Sequence, residues 1–213
     1  MIIALAVSLW FVPGNASSQD SLSTPKQIYI GFDVSKTMGH LCFSRGAYEV
    51  PIGIELQGYV RLFNPFVLRG IVGYDRVSVK EPAPNISYYS SGTYCMLGMG
   101  VETSVEDVSL SFSALGSISS ARERGDIRIK GDYFPDYTSS YSRSGYVTAF
   151  VCSADLLYPF GNRYGVMLSA RVGFNLSNDF DSTEWPNYFV PGLGVVNDGF
   201  MSGQLGVSFL ISL

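Results

Sequence analysis

The chain has 213 residues, a formal net charge of −4 and a charged fraction of 15%, whereas soluble domains average about 25%. This length fits a single domain, and the acidic balance argues against nucleic-acid binding, which needs a basic surface. The three cysteines, Cys42, Cys95 and Cys152, lack CxxC spacing, so we expect neither a disulfide framework nor a zinc site.

The N-terminal residues have the pattern of a secretory signal peptide. An apolar run over 2–12 precedes a Pro-Gly pair, and Ala16 provides a small residue for cleavage. We predict a signal peptide over 1–16 and a flexible lead-in over 17–25. A strand or an interfacial helix over the apolar run is the alternative, since no basic residue follows the initial methionine.

Beyond the lead-in, apolar and polar residues alternate in eight segments. In the most regular one, every second residue from Tyr164 to Leu176 is apolar, and the intervening positions are mostly small or polar and include Arg171. A period of two is that of a β-strand. The predicted strands, in chain order, are 26–35, 48–60, 65–77, 93–104, 106–118, 145–158, 163–176 and 200–213.

The connections between these strands alternate in length. Three are short turns around RLFNP, VED and PFGN, and the other four, 36–47, 78–92, 119–144 and 177–199, are long. Short turns at one end and long loops at the other are typical of outer-membrane barrels. We therefore predict an all-β fold over 26–213, an eight-stranded antiparallel up-and-down transmembrane β-barrel with periplasmic termini and extracellular loops.

The two faces of the strands indicate which side meets lipid. One face carries apolar residues such as Ile54, Leu168 and Val207, and the other carries glycine, serine and isolated charges. A soluble barrel would place the apolar face inside and a lysine-rich face in water, but the predicted strands contain no lysine except Lys26. Aromatic residues gather near both strand ends, as in interfacial girdles. We predict lipid outside and polar groups inside.

The predicted inward face carries seven charged residues: Asp33, Glu55, Arg69, Asp75, Glu102, Asp155 and Arg171. Counted from the short turns, Asp33, Asp75 and Arg171 lie in an upper layer and the other four lie in a lower one. Buried charges need partners, and eight strands enclose an interior that side chains fill. The sequence thus predicts a salt-bridge network in a plugged polar lumen without an open pore.

The first long loop holds the one candidate for catalysis. His40 is the single histidine of the chain, and Ser35, Asp75 and Ser78 are predicted at a similar height. Some outer-membrane lipid A acyltransferases use a loop histidine with such neighbours, which suits a general base. Cys42 does not complete a metal site, which needs three or four ligands. Because no motif spacing is matched, we predict no catalytic residue, no metal site and no cofactor.

The loop 119–144 contains both charge signs, with the cations Arg122, Arg124, Arg128 and Lys130. It is either a solvated hairpin above the membrane or a contact to lipopolysaccharide phosphates or a protein partner. A surface adhesin would bind its ligand through this hairpin.

The segment WPNYFVPGLG, 185–194, places Trp185, Tyr188 and Phe189 just before the last strand. Two prolines stiffen its backbone. The aromatic side chains either fold back over the barrel mouth or form an exposed patch, which favours docking to another protein. These three residues are our partner-docking candidates.

The eight strands, short turns, polar lumen and C-terminal GQLGVSFLISL resemble the small OmpA/OmpX-type outer-membrane barrels. The ending NYFVPGLG…GQLGVSFLIS is similar to an uncharacterised barrel family of the Bacteroidota. One departure is the final Leu213, where such barrels commonly carry an aromatic residue recognised by the assembly machinery. The resemblance implies a Gram-negative outer membrane, with its lipids and lipopolysaccharide as surroundings.

The small size, the aromatic loop and the lack of a catalytic motif favour a non-enzymatic role. We expect an accessory subunit of a larger envelope complex, in outer-membrane protein assembly or protein export, with other membrane proteins as partners. The alternatives are a lipid A-modifying enzyme that uses His40 and a surface adhesin.

Overall fold

The computed structural model describes residues 27–35, 52–80, 86–105, 108–129, 131, 135–160, 163–179, 189–197 and 201–213. The strands are β1 (Ile28–Asp33), β2 (Ile52–Phe63), β3 (Phe66–Lys80), β4 (Ile86–Val105), β5 (Val108–Ile129), β6 (Tyr137–Phe160), β7 (Tyr164–Asn178), β8 (Phe189–Val190), β9 (Gly194–Asn197) and β10 (Met201–Ser212). Among the described residues, no helix has the length and apolar character needed to span a bilayer. The predicted signal peptide and the whole predicted lead-in, with His40, Cys42, Trp185 and Tyr188, lie outside these residues.

Eight of these strands close into a ring. Each of β1 to β6 pairs with the next strand along the chain, β7 pairs with β10, and β10 pairs back with β1. Every pairing is antiparallel. The predicted eight-stranded up-and-down barrel is therefore confirmed. The short connections lie at one end of the barrel (the inner end), and the long ones lie at the other (the outer end).

Three central strands are much longer than predicted. β4, β5 and β6 have 20, 22 and 24 residues, and they pair from Val105↔Val108 outward to Ile129↔Tyr137. The predicted loops 78–92 and 119–144 are wrong over most of their length. These segments alternate serine with tyrosine or arginine, so they lack the apolar face that reveals a strand in sequence. Because about 9–11 residues of a tilted strand cross a bilayer, this sheet extends well beyond one.

The barrel is apolar outside and largely polar inside, as predicted. Leu168 and Leu205 are 49% and 79% exposed on the outer wall, while Arg69 and Arg171 are 0% and 4% exposed inside. Burial alternates along the strands, for example through Ile52–Phe63. This polarity is the reverse of that in a soluble barrel, and it suits a wall in contact with hydrocarbon.

Aromatic side chains surround the outer wall at two levels. At the inner end, the Phe63 and Phe66 rings lie 5.0 Å apart, and the Phe160 and Tyr164 rings lie 6.0 Å apart. At the outer end, Tyr74 and Tyr146 are exposed. Two further aromatic residues near predicted outer strand ends, Tyr48 and Phe200, lie outside the described residues. Cys95 and Cys152 face outward, as expected of small apolar side chains that meet lipid.

Gly98 lies within β4 and opens no helix, so the LGMG sequence is not a phosphate-binding loop. A Cβ atom added at Gly98 would lie 2.0 Å from the Ala114 carbonyl oxygen on β5. The glycine is required because the neighbouring backbone approaches too closely for any side chain.

Candidate functional site: the closed lumen

The lower half of the lumen is organised around Arg69. This β3 side chain forms an ion pair with Asp155 on β6, and it donates hydrogen bonds of 2.6 Å to Ser153 Oγ, 2.9 Å to Gln57 Oε1 and 3.3 Å to Ser169 Oγ. The guanidinium therefore reaches from β3 across the barrel to β6 and β7. Four partners compensate the free-energy cost of removing its charge from water.

A second buried ion pair joins β7 to β2. Arg171 Nη1 and Nη2 donate to the two carboxylate oxygens of Glu55 over 2.8 and 2.5 Å, and the Tyr94 hydroxyl donates to Glu55 Oε2 over 2.7 Å. This bidentate geometry is the strong form of an arginine–carboxylate ion pair. The two ion pairs cross-link opposite walls of the barrel.

Two predicted network members have partners outside the predicted set. Glu102 pairs with Arg61 near the inner end, and Arg61 Nε lies 2.8 Å from Glu102 Oε2. Asp33 is buried, and its Oδ1 accepts hydrogen bonds from the backbone N–H and hydroxyl of Ser35 over 2.7 and 2.6 Å. Asp33 therefore stabilises the chain at the end of β1, and no ion pair involving it is present among the described residues.

The predicted division into two layers is wrong for Arg171 and Glu55, which were placed in different layers and form one ion pair. Glu55 precedes the end of β2 at Phe63 by about the same number of residues as Arg171 follows the start of β7 at Tyr164. A count from the short turns therefore places both residues at nearly the same height, and the assignment of Glu55 to the lower layer was wrong.

The lumen also holds apolar clusters that the predicted polar interior did not include. Near the inner end, one cluster consists of Tyr29, Tyr59, Val67, Leu157, Met167 and Leu210. Toward the outer end, Ile71, Met96 and Leu115 pack with Val190 and Leu193. On each strand, these wall residues fall at the alternate positions that point inward, as Arg69 does. The alternation in the sequence could therefore have predicted that they lie inside the barrel.

The β8–β9 hairpin folds into the outer end and closes it. Val190 and Leu193 are buried in the upper cluster. The Gly192 N–H donates to Asp75 Oδ2 over 2.8 Å, and the Ser119 hydroxyl donates to the Pro191 carbonyl over 2.8 Å. The Asp75 carboxylate thus binds the backbone of this turn. The sequence had instead predicted Asp75 as a member of the ion-pair network.

Phe189 is not an exposed docking residue, which corrects that prediction. Its side chain is 2% exposed and packs with Val77 and Tyr88, with Tyr141 alongside. The stiff Pro-Gly turn directs the aromatic ring back into the barrel, where burial removes about 1.5–3 kcal/mol of apolar hydration. The other two docking candidates, Trp185 and Tyr188, lie outside the described residues.

We expect Gly192→Ala to loosen this closure. Gly192 has φ +80°, and an added Cβ would lie 2.5 Å from Tyr94 ring atoms, so strain and displacement should cost about 1–3 kcal/mol. Gly194→Ala is the matched control, because Gly194 has φ +87° while its Cβ would meet nothing closer than 3.5 Å. Denaturant unfolding of both variants in the same detergent should give the larger loss for Gly192→Ala. Equal losses would contradict a tight contact between the turn and Tyr94.

Above the hairpin, the interior of the extended sheet holds one more charged cluster. The Tyr88 hydroxyl donates to Glu123 Oε1 over 2.8 Å, and Arg143 Nε donates to Glu123 Oε2 over 2.6 Å. Burial and the Glu123 carboxylate raise the pKa of Tyr88 well above its usual range, so it stays a hydrogen-bond donor at neutral pH. The described part of the chain contains no group of three metal-ligating side chains.

Solved structures of small barrels are similar to this chain. Ail, the attachment invasion locus protein of Yersinia pestis, solved with the heparin analogue sucrose octasulfate, is 13% identical with a TM-score of 0.48 over 89% of this chain and 100% of Ail. Neisserial surface protein A is 12% identical with a TM-score of 0.42, over 88% and 95% of the two chains. The N-terminal β-barrel domain of Pseudomonas aeruginosa OprF is 10% identical with a TM-score of 0.32, over 88% and 97%.

No protein-family model matches the chain, and no curated protein matches it. The fold assignment therefore depends on this chain's own strand order, its closure into a ring and the burial of its two faces.

Proposed function

We propose that the chain is an integral outer-membrane barrel with a closed lumen, periplasmic termini and no enzymatic activity. The observation that carries this proposal is the reversed polarity of the wall, with leucines exposed outside and two ion pairs buried inside. Exposed apolar area on this scale is unfavourable in water, whereas a bilayer solvates it. Membership of the Bacteroidota barrel family stays a prediction.

The same proposal assigns the chain an accessory role in a larger envelope complex, for barrel assembly or protein export. Side chains fill the interior around Arg69 and Glu55, which are fully buried, so the lumen is unsuited to transport. The geometry of a filled barrel instead favours a structural or docking role.

The projecting sheet supports a docking role. β6 begins at Tyr137, and its pairs with β7 run from Val147 toward the inner end. The segment 137–145 therefore extends outward beyond the part of β6 that pairs with β7. Because the projecting sheet stands above the lipid-facing wall, another chain can reach it, and we propose that a membrane-protein partner binds there.

The test is extraction in a mild detergent, followed by native sizing and mass spectrometry. We expect the full chain to migrate with named envelope proteins, and a variant lacking 122–143 to migrate alone. This deletion joins Ala121 to Ser144, which lies beside Ala121's partner Gly145 in the ladder, so the barrel below it can close. Folding of the variant is checked by heat-modifiable electrophoretic migration. A full-length chain that runs as a lone barrel would defeat the subunit proposal.

A surface-binding module is the second candidate, favoured by the same projecting sheet. In that case the 122–143 deletion abolishes ligand binding and leaves copurifying membrane proteins unchanged. The enzyme hypothesis depends on His40, outside the described residues, and it is tested by comparing lipid A mass spectra from cells with wild-type chain and with His40→Ala. A spectral difference would contradict the non-enzymatic proposal.

A further inference from the structure

The outward face of β3 to β6 is divided into cross-strand rows by the register of the sheet. One row consists of Tyr74, Thr93, Ser120 and Tyr146. Toward the inner end, the next row is Val72, Cys95, Ile118 and Thr148, and the row after it is Gly70, Leu97, Gly116 and Phe150. The tyrosine row is therefore the upper border of the apolar wall, as interfacial tyrosines are in membrane barrels.

Immediately beyond the tyrosine row the outward face becomes basic and hydroxyl-rich. The first row there is Arg76, Ser91, Arg122 and Ser144, and the second is Ser78, Tyr89, Arg124 and Ser142. Arg76, Arg122 and Arg124 (the arginine patch) are all exposed. Three cations thus surround Tyr89 and Ser91 on one face of three adjacent strands.

No ion pair involving the arginine patch is present among the described residues. The ion pairs that the structure describes involve Arg61, Arg69, Arg143 and Arg171. The two rows contain no carboxylate, and Asp126 in the following row accepts a hydrogen bond from Ser87 over 3.2 Å.

The central tyrosine responds to this positive field. The Arg76 guanidinium lies 5.2 Å from the centroid of the Tyr89 ring. A hydrogen bond from Ser91, together with the nearby charges of Arg76 and Arg124, lowers the pKa of Tyr89. The site therefore favours negative charge at its centre.

The arginine positions come directly after the tyrosine row on their own strands. Because the strands are tilted, a cross-strand row is not level in the membrane, so depth is compared along one strand. On β3, Arg76 follows Tyr74 by two residues, which is about 7 Å along the strand and about 5 Å along the membrane normal. The polar layer on each side of the hydrocarbon core is about 5–8 Å thick, so Arg76 lies within reach of the head groups if Tyr74 marks the edge of the hydrocarbon.

We propose that the arginine patch binds the phosphate groups of an anionic glycolipid in the outer leaflet, with Tyr89 and Ser91 as hydroxyl partners. Guanidinium groups bind phosphate oxygens in pairs, and their position directly above the lipid-facing wall favours a membrane lipid over a soluble ligand. This inference rests on the proposed function, because the arginine patch can meet a membrane lipid only if the barrel lies in the outer membrane.

The test titrates the folded full-length barrel, in nonionic micelles, with bisphosphorylated lipid A and with chemically dephosphorylated lipid A. We expect binding of the phosphorylated form that weakens with rising salt, and a loss of about 100-fold in the variant Arg76→Gln/Arg122→Gln/Arg124→Gln, because each cation near an anionic surface contributes about a fivefold factor. Arg163→Gln, an exposed arginine at the inner end, should bind as wild type does. Replacement of the same three arginines by lysine should restore part of the affinity.

Three results would overturn the proposal: equal binding of the dephosphorylated lipid, competition by inorganic phosphate at the same concentration, or binding of a sulfated oligosaccharide in place of the lipid. Insertion of each protein into phosphatidylcholine vesicles is measured in parallel. If the wild type fails to insert, the proposed membrane location is wrong. If wild type and triple variant insert equally and also bind lipid A equally, the glycolipid site alone is wrong.

Discussion

Replacement of Glu55 by glutamine is expected to destabilise the folded barrel by about 3–5 kcal/mol, the usual effect of removing one partner of a buried ion pair. The two Glu55 carboxylate oxygens accept both Nη groups of Arg171. Without this carboxylate, the Arg171 charge stays inside the lumen, where it is 4% exposed, and lacks its strongest partner. The free energy of unfolding, measured by denaturant titration in detergent or vesicles, should fall accordingly.

Two further variants separate an unpaired charge from a general loss of packing. Glu102→Gln acts on an ion pair whose arginine side chain is 32% exposed, and solvent screening should keep its effect near 1 kcal/mol or less, about the size of a surface pair. The double variant Glu55→Leu/Arg171→Met removes both charges and should recover much of the stability. A Glu55→Gln variant that unfolds at the wild-type denaturant concentration would show that the pair does not stabilise the barrel.

Leu168→Arg should cost about 2–4 kcal/mol when the barrel is folded into a bilayer, the range observed for arginine near the midplane of a lipid-facing wall. Leu168 is 49% exposed on β7, four residues from the inner aromatic level at Tyr164. In water, an exposed position of this kind would accept arginine with little change. The variant therefore measures whether hydrocarbon touches this face.

The control for this measurement is Thr138→Arg, an exposed position on the projecting part of β6. It lies well beyond the tyrosine row, and its substitution should change the unfolding free energy by less than about 0.5 kcal/mol. Equilibrium unfolding from phosphatidylcholine vesicles gives both values. If the two substitutions have equal effects, the leucine face does not meet lipid and the membrane location is wrong.

The barrel was predictable because its wall has a period of two that survives in each transmembrane segment. Arg171 and Leu168 fall on opposite faces by parity alone, and the structure buries the first and exposes the second. The projecting parts of β4 to β6 were not predictable in this way. Their outward and inward positions are both polar over most rows, as at Ser87 and Tyr88, so no amphipathic signal separates strand from loop.

The candidate sites were likewise predictable only in part. The sequence identified the buried charges but not their pairs, because which side chains meet across the lumen depends on how the strands are arranged around the closed ring. The arginine patch was visible in part, as Arg122 and Arg124, while Arg76 joins it through the register of β3 with β4. For Phe189 the sequence left open whether the ring folds back over the barrel mouth or docks a partner, because a sequence does not state on which side of the barrel mouth a loop packs.

The sequence by itself determined the number of strands in the barrel, the closed antiparallel topology and the side of the wall that is apolar, since these follow from local alternation and connection lengths. The tertiary structure decided which charges pair across the lumen, how far the outer sheet projects, and that the hairpin after β7 enters the barrel. Each of these features depends on contacts between residues that are distant in the chain. Such contacts form, and contribute to stability, only once the ring has closed.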